Sequence, residues 1–346
     1  MISQMEKEAR EAPERISAQL KANQPVLQAL STRLREVKPL VAITIARGSS
    51  DHAATFAKYL LEIEAGIITT TAAPSVFTLY RKMLPVKNCL VLGISQSGES
   101  PDIVEMMISM RQAGAITVAF VNETGSQLAN AAEYIVPLLA GKEKAVAATK
   151  TYLATLSALI QFVATFKEDQ NLLHAIAKLP ASLEDAAHMD WSLAIKGYQP
   201  AHNTLVIGRG FSFPAAQEAA LKFKETAKIH AEAFSSAELL HGPFALIDKN
   251  FPLLFFAQQD ESFAGTLSIA ERVHEMGAKV MMASPQSENT WDETDFIRLP
   301  MPKSLHPICD PLLMVQAFYV MMARLSLARG LNPDAPSHLT KVTKTW

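Results

Sequence analysis

Short apolar runs rich in β-branched residues recur along this chain, each followed by a stretch with helical spacing. In the first half, runs near 41–46, 67–70, 89–94, 116–121 and 134–137 predict strands. Ala-, Glu- and Lys-rich segments near 51–65, 101–113 and 125–131 predict helices between them. In "PDIVEMMISMRQAG", for example, Ile103, Met106, Met107 and Met110 recur at helical spacing behind a proline suited to a first turn. Strands alternating with helices predict a parallel sheet covered on both faces. Further helical stretches are predicted at 145–167 and 311–329, with an amphipathic N-terminal segment at 5–35. The stretch "AKLPASLEDA" (177–186) reads as the start of a connection.

The pattern occurs twice. "PLVAITIARGSS" (39–50) is echoed by "NTLVIGRGFS" (203–212), and "MRQAGAITVAFVN" (110–122) by "VHEMGAKVMMAS" (273–284). Gly48 and Gly210 are 162 residues apart, Gly114 and Gly277 are 163 apart, and such agreement predicts a duplication. The expected fold is α/β: two copies of a flavodoxin-like three-layer sandwich, each a parallel sheet flanked by helices. The expected division is a helical segment at 1–35, a first domain at 36–170, a second at 195–330, and a tail at 331–346. By composition the tail, "NPDAPSHLTKVTKTW", reads as a loose end.

Composition narrows the partners. Of 346 residues, 49% are hydrophobic and 19% charged, and the formal net charge is −2. That balance suits a globular protein with ample core and argues against nucleic acid or an anionic membrane as partner. The opening "MISQMEKEAREAPERI" is charged throughout, unlike a secretory signal, and no run reads as a membrane span, so a cytoplasmic location is expected. Two distant cysteines, Cys89 and Cys309, suit a reducing compartment. Neither a structural metal nor a cofactor is expected.

"GISQSGES" (93–100) concentrates hydroxyls and an amide, without lysine or arginine, between a strand and a helix. A loop there aims backbone N–H groups outward at a helix N-terminus, where an anion is favoured. Ser95, Gln96, Ser97 and Ser100 add donors, enough to hold a phosphate ester by hydrogen bonds and helix dipole. Ser100 also reads as the helix cap, and a capping loop with no ligand is the plainer alternative. No P-loop occurs, and "GRGFSF" (208–213) lacks the third glycine of a dinucleotide fingerprint, so a small phosphorylated metabolite fits better than a nucleotide. In the second copy Lys222 and Glu225 share a helix face, which by itself reads as a solvated surface pair. His241 precedes a Gly-Pro turn in "LLHGPFALI", held near a loop or serving as an ordinary core histidine.

Taken together, "ISQSGES", "VAATKT" (146–151), "LKFKE", "IHAEAF" and "ELLHGPFALI" resemble the sugar-isomerase (SIS) domain pair of glucosamine-6-phosphate synthases, over nearly the whole chain. The resemblance implies that Ser50, Ser95, Gln96, Ser97 and Ser100 bind a sugar phosphate. Gly48, Ser49, Val146 and Ala148 would line the pocket, Ala148 standing where the family often has serine. Glu225 matches the base that moves a proton between C1 and C2, with Lys222 beside it. His241 matches the ring-opening histidine, which in this family tends to come from a neighbouring subunit, so a homodimer is implied. Lys341 matches the lysine of a tail that closes over substrate and forms a Schiff base with the open ketose; this reverses the compositional reading of the tail. An apolar pocket around Glu225 is expected, raising its pKa towards neutrality.

The sugar-isomerase region starts almost at once and both cysteines lie inside the duplication, so glutamine hydrolysis is not expected. The expected reaction is therefore glucosamine 6-phosphate plus water giving fructose 6-phosphate and ammonia. Alternatives are the galactosamine epimer, cleavage of a phosphorylated fructosamine, and a non-catalytic sugar-phosphate sensor. Retention of Glu225 and His241 counts against the sensor.

Overall fold

A computed structural model describes residues 2–285 and 296–341. These form two bodies. The first comprises Glu14–Glu143, Lys150–Ala177 and residues 340–341; the second comprises residues 2–13, Lys144–Thr149 and Lys178–Leu339.

In the first body, β1 (Val41–Ile45), β2 (Ile68–Thr71), β3 (Leu90–Ser95), β4 (Ile116–Val121) and β5 (Tyr134–Pro137) form one parallel sheet in the order β2-β1-β3-β4-β5. Every residue of β3 and β4 is buried, as continuous apolar runs require of strands covered on both faces. Helices Ser49–Leu60, Pro101–Gln112 and Gln127–Ala131 connect them. Val91, Met107, Val121 and Leu128 pack in one apolar cluster.

The second body repeats this plan. Its strands β6 (Asn203–Gly208), β7 (His230–Ser235), β8 (Pro252–Phe256), β9 (Lys279–Ala283) and β10 (Ile297–Leu299) are parallel in the order β10-β9-β8-β6-β7. Read from the other edge, that is the order of the first sheet. The duplication reaches the backbone: Ile43 faces Val91, and 162 residues on Leu205 faces Leu253. Gly48 and Gly210 both take left-handed φ, +56° and +57°, at the turns leaving β1 and β6. Asn88 N–H donates to the Gly114 carbonyl at 3.0 Å, and Asn250 N–H to that of Gly277 at 2.8 Å.

Helix Asp310–Ala328 is long and apolar enough on its own to cross a bilayer, yet it is buried almost throughout. Its Phe318 ring meets Phe223 of helix Ser212–Ala227 edge-on, centroids 5.4 Å apart.

Four local expectations change. The N-terminal stretch is three helices, Gln4–Arg10, Ala12–Ala22 and Gln24–Val37, the last with proline in its first turn. "AKLPASLEDA" lies inside helix Gln170–Ala187, which accommodates Pro180. A short helix, Pro74–Thr78, was not anticipated. The stretch expected to be helical from 145 becomes so only at Lys150. Before it, Glu8 accepts the N–H groups of Lys144 (2.6 Å) and Ala145 (3.2 Å), while the Asp334 carbonyl accepts that of Val146 (3.0 Å). Those amides are satisfied by partners far along the chain rather than by the carbonyls of a preceding helical turn, so the loop stays irregular. The tail is likewise no loose end at this point: the Asp334 carboxylate caps helix Gln4–Arg10 through the N–H groups of Gln4 and Met5, at 2.9 and 2.7 Å. Tail residues 342–346 lie outside the described residues.

Candidate active site

In the first sheet the strand order reverses between β1 and β3, and their carboxyl ends open a crevice of the kind where doubly wound sheets take ligands. Gly48, Ser49 and Ser50 leave β1 there; Ser95, Gln96, Ser97 and Ser100 end or follow β3. The structure thus brings seven of the sequence-predicted binding residues to one crevice. The loop is internally braced. Ser95 Oγ accepts the Gly98 N–H at 3.0 Å, and Ser97 Oγ accepts that of Glu99 at 3.4 Å. Gly98 has φ +65°, and a Cβ there would lie 2.1 Å from Ser126 Oγ, so a side chain would force the loop open.

Two features differ from expectation. Ser100 occupies the cap position of helix Pro101–Gln112, but its hydroxyl makes no capping bond; Asp102 instead accepts the Ile103 N–H at 2.9 Å through its own Oδ1. The crevice also carries a cation that the serine loop lacks. Arg47, at the end of β1, donates Nη2 (2.8 Å) and Nε (3.2 Å) to Asp102 Oδ2. Asp102 is almost fully buried, whereas the arginine side chain is 52% exposed.

The second sheet reverses between β6 and β8, but its crevice is differently filled. At the same 162-residue offset, Ala257, Gln259 and Asp260 stand where Ser95, Ser97 and Gly98 do. Gln258 Nε2 donates to the Arg209 carbonyl (2.8 Å), Asp260 Oδ2 (2.8 Å) and Ser262 Oγ (3.0 Å). Two hydroxyls are lost and a carboxylate is gained, which suits an anion poorly.

The second body instead carries ionisable groups on helix Ser212–Ala227. Lys222 is 1% exposed and Glu225 22%, so the pair expected at the surface has its lysine buried and its carboxylate only partly exposed. Its ammonium lies 2.8 Å from Glu225 Oε2 and 3.0 Å from Glu218 Oε1, and Tyr319 donates to Glu218 at 2.9 Å. Burial alone would lower the lysine's pKa; the two carboxylates outweigh it and hold the pKa above the ordinary lysine value. Glu218 escaped the sequence reading, although its place four residues before Lys222 was the available signal.

Glu225 opens onto a cleft of about 510 Å³, lined also by Lys224, Lys228, Asn332, Ser337 and His338. Leu331, Ala335, Pro336 and Leu339 line it as well, so the surroundings of this carboxylate are mixed rather than purely apolar, with a lysine as its direct partner. His338, with φ +67°, is a cleft residue that sequence reasoning passed over. Val146 and Ala148 belong to this body too, on the loop held by Glu8 and Asp334, both partly exposed. His241 ends a short 3-10 turn, Glu238–Leu240, and is exposed; Leu240 and Leu246 around it are 42% and 55% exposed, so this stretch is no buried apolar segment. Lys341 belongs to the first body and is partly exposed.

Twin doubly wound sheets, one with a hydroxyl-lined crevice and the other with a buried lysine–carboxylate group beside a cleft, define a duplicated α/β protein. The chain belongs to the SIS-domain family, which matches it at residues 38–165 and 197–328. It is 33% identical over 340 residues to the glutamine–fructose-6-phosphate aminotransferase (isomerizing) of Aquifex aeolicus, an alignment that covers 97% of this chain and 57% of that protein. The chain thus spans little more than half the length of that relative. Among solved structures, a "putative phosphosugar isomerase" from Silicibacter pomeroyi DSS-3 superposes with TM-score 0.91 at 36% identity, covering 96% of this chain and all of that one. The C-terminal domain of glucosamine-fructose-6-phosphate aminotransferase from Francisella tularensis superposes with TM-score 0.85 at 26% identity, covering 96% and 98%. The expected resemblance to the isomerase half of such synthases is therefore upheld.

Proposed function

We propose that this chain is an aminosugar-phosphate deaminase and isomerase that converts glucosamine 6-phosphate and water to fructose 6-phosphate and ammonia. The observation that carries the reading is Glu225: a partly exposed carboxylate on a cleft wall, 2.8 Å from a buried ammonium. A carboxylate fixed in that way can take a proton from one carbon and return it to the next. In the proposed sequence the phosphate is held by Ser50, Ser95, Gln96, Ser97 and Ser100, with Gly48, Ser49, Val146 and Ala148 lining the pocket. His241 opens the pyranose ring at O1/O5. Glu225 takes the C2 proton of the open aldehyde, giving an enolamine, and returns a proton to C1. The resulting C2 ketimine adds water and expels ammonia, leaving the ketose. Lys222 steadies the carboxylate, and Lys341 on the tail is available to form a Schiff base with the open ketose.

Neither thiol of this chain is set up to attack glutamine. Burial raises the pKa of both Cys89 and Cys309, the opposite of what an activated nucleophile requires. The exposure of His241 is consistent with a site completed by a second copy in a homodimer. A cytoplasmic location fits the same reading.

The test is ammonia release by purified protein over glucosamine 6-phosphate, galactosamine 6-phosphate and phosphorylated fructosamines. The glucosamine ester is expected to be turned over fastest. Release of an amino acid from a fructosamine, with no ammonia from either hexosamine ester, would replace the deaminase by a deglycase. Binding without turnover of any of them would leave a sensor.

A further inference from the structure

The crevice between β1 and β3 carries a charge problem that hydroxyls alone do not solve. Asp102 stands in the first turn of helix Pro101–Gln112 with its side chain 1% exposed. Asp51 stands in the first turn of helix Ser49–Leu60, on the other side of the crevice. Each suits its own helix dipole, and each repels a dianionic ester brought to the same helix ends.

One arginine answers both. The Arg47 guanidinium engages Asp102 Oδ2 side-on through Nε and Nη2, while Asp102 Oδ1 is taken by the Ile103 N–H. Asp51 also feels this charge: burial raises its pKa, and His52 and Arg47 pull it back down. With half of its side chain exposed, Arg47 retains an edge that a ligand can reach. A guanidinium held on one side by a buried carboxylate is pre-oriented, so little side-chain entropy is lost when its other edge meets phosphate.

We propose that Arg47 is the cationic member of the phosphate-ester site, and that Asp102 is its positioning residue. This rests on reading the Ser95–Ser100 loop as the phosphate cup. It adds to that reading a charge-selecting element, which makes the crevice prefer a phosphate ester to an uncharged sugar.

Calorimetric titration of the full-length protein with inorganic phosphate tests it, using wild type, Arg47→Gln, Arg47→Lys, Arg47→Gln/Asp102→Asn and Ser97→Ala. Arg47→Gln is expected to weaken binding by about 10- to 100-fold, the range of a lost charge-assisted bond. The double variant should recover part of that loss, because the Asp102 charge that repels the anion is then removed as well. A merely structural role predicts no such recovery. Arg47→Lys should fall between, since a point charge cannot grip Asp102 side-on and reach phosphate together. If Arg47→Gln does not fold, Arg47→Lys carries the test, and wild-type affinity in that variant overturns the proposal. Affinity unchanged in Arg47→Gln but weakened in Ser97→Ala overturns Arg47 and leaves the cup standing. Affinity unchanged in both overturns the cup, and the proposal with it.

Discussion

Lys222 shows how closely a buried charge depends on its partners. Its buried ammonium is paired with the buried Glu218 carboxylate and the partly exposed Glu225 carboxylate, and breaking such a group by removing one partner costs about 3–5 kcal/mol, because a charge is left uncompensated. Lys222→Met should therefore lower the melting temperature sharply and abolish turnover. Lys222→Met combined with Glu218→Leu should regain most of the stability, since apolar replacement of buried ions is often near neutral, and none of the activity. A double variant as unstable as the single one would show that the group holds the fold. Glu225→Gln separates the other way: the amide keeps the shape but cannot take a proton, so turnover should vanish while affinity for the phosphate ester changes by less than about threefold. Ser97→Ala should act mainly on KM, raising it roughly five- to tenfold as one hydrogen bond is lost.

Elements were legible in the sequence where their pattern was long and local. The strands at 116–121 and 134–137 fall where the apolar runs put them, and Met106, Met107 and Met110 face the core as their spacing required. What stayed hidden depends on partners far along the chain. Nothing near Glu8 announces that it would accept the N–H groups of Lys144 and Ala145, and nothing in a polar, proline-bearing tail marks Asp334 as the cap of the first helix. Arg47 was visible in "ARGSS", but the carboxylate that holds it, Asp102, is 55 residues away. The serine loop was legible because its donors are contiguous; Glu218 and His338 were not, since their company is assembled by the fold. The loop carrying Val146 and Ala148 supplies a test at this scale. Glu8→Ala removes the carboxylate that accepts the Lys144 and Ala145 N–H groups, at a cost of up to about 1–3 kcal/mol for each donor left buried and unsatisfied. Faster amide hydrogen exchange confined to residues 144–149, with a lower melting temperature, is the expected result; unchanged exchange there would show that the loop needs no such clasp.

At the scale of the molecule, duplication gave each body the same sheet and left the two free to diverge at the equivalent crevice. Where the first keeps Ser95 and Ser97, the second has Ala257 and Gln259, with Asp260 in place of Gly98. That acidic replacement has a consequence for pH. Asp310, at the start of the buried helix Asp310–Ala328, accepts hydrogen bonds from Ser304 Oγ (2.6 Å) and the Gln259 N–H (3.1 Å), yet its pKa is pushed up to about 7. Burial is the main cause and the Asp260 charge adds to it, outweighing both hydrogen bonds. The unfolded value is 3.8, so between pH 4 and 7 the folded state binds the extra proton. Stability from this group is fully present below pH 4 and is lost as pH rises through 7. With a shift of about three units, the loss is at most roughly 4 kcal/mol. Asp310→Asn removes the titration, so the wild-type-minus-variant difference in melting temperature should fall steadily from pH 4.5 to pH 8, then level off. Other titrating groups act alike in both proteins and cancel in that difference. A difference that stays flat over this range would mean that Asp310 remains ionised in the folded protein, with its two hydrogen bonds outweighing the loss of water.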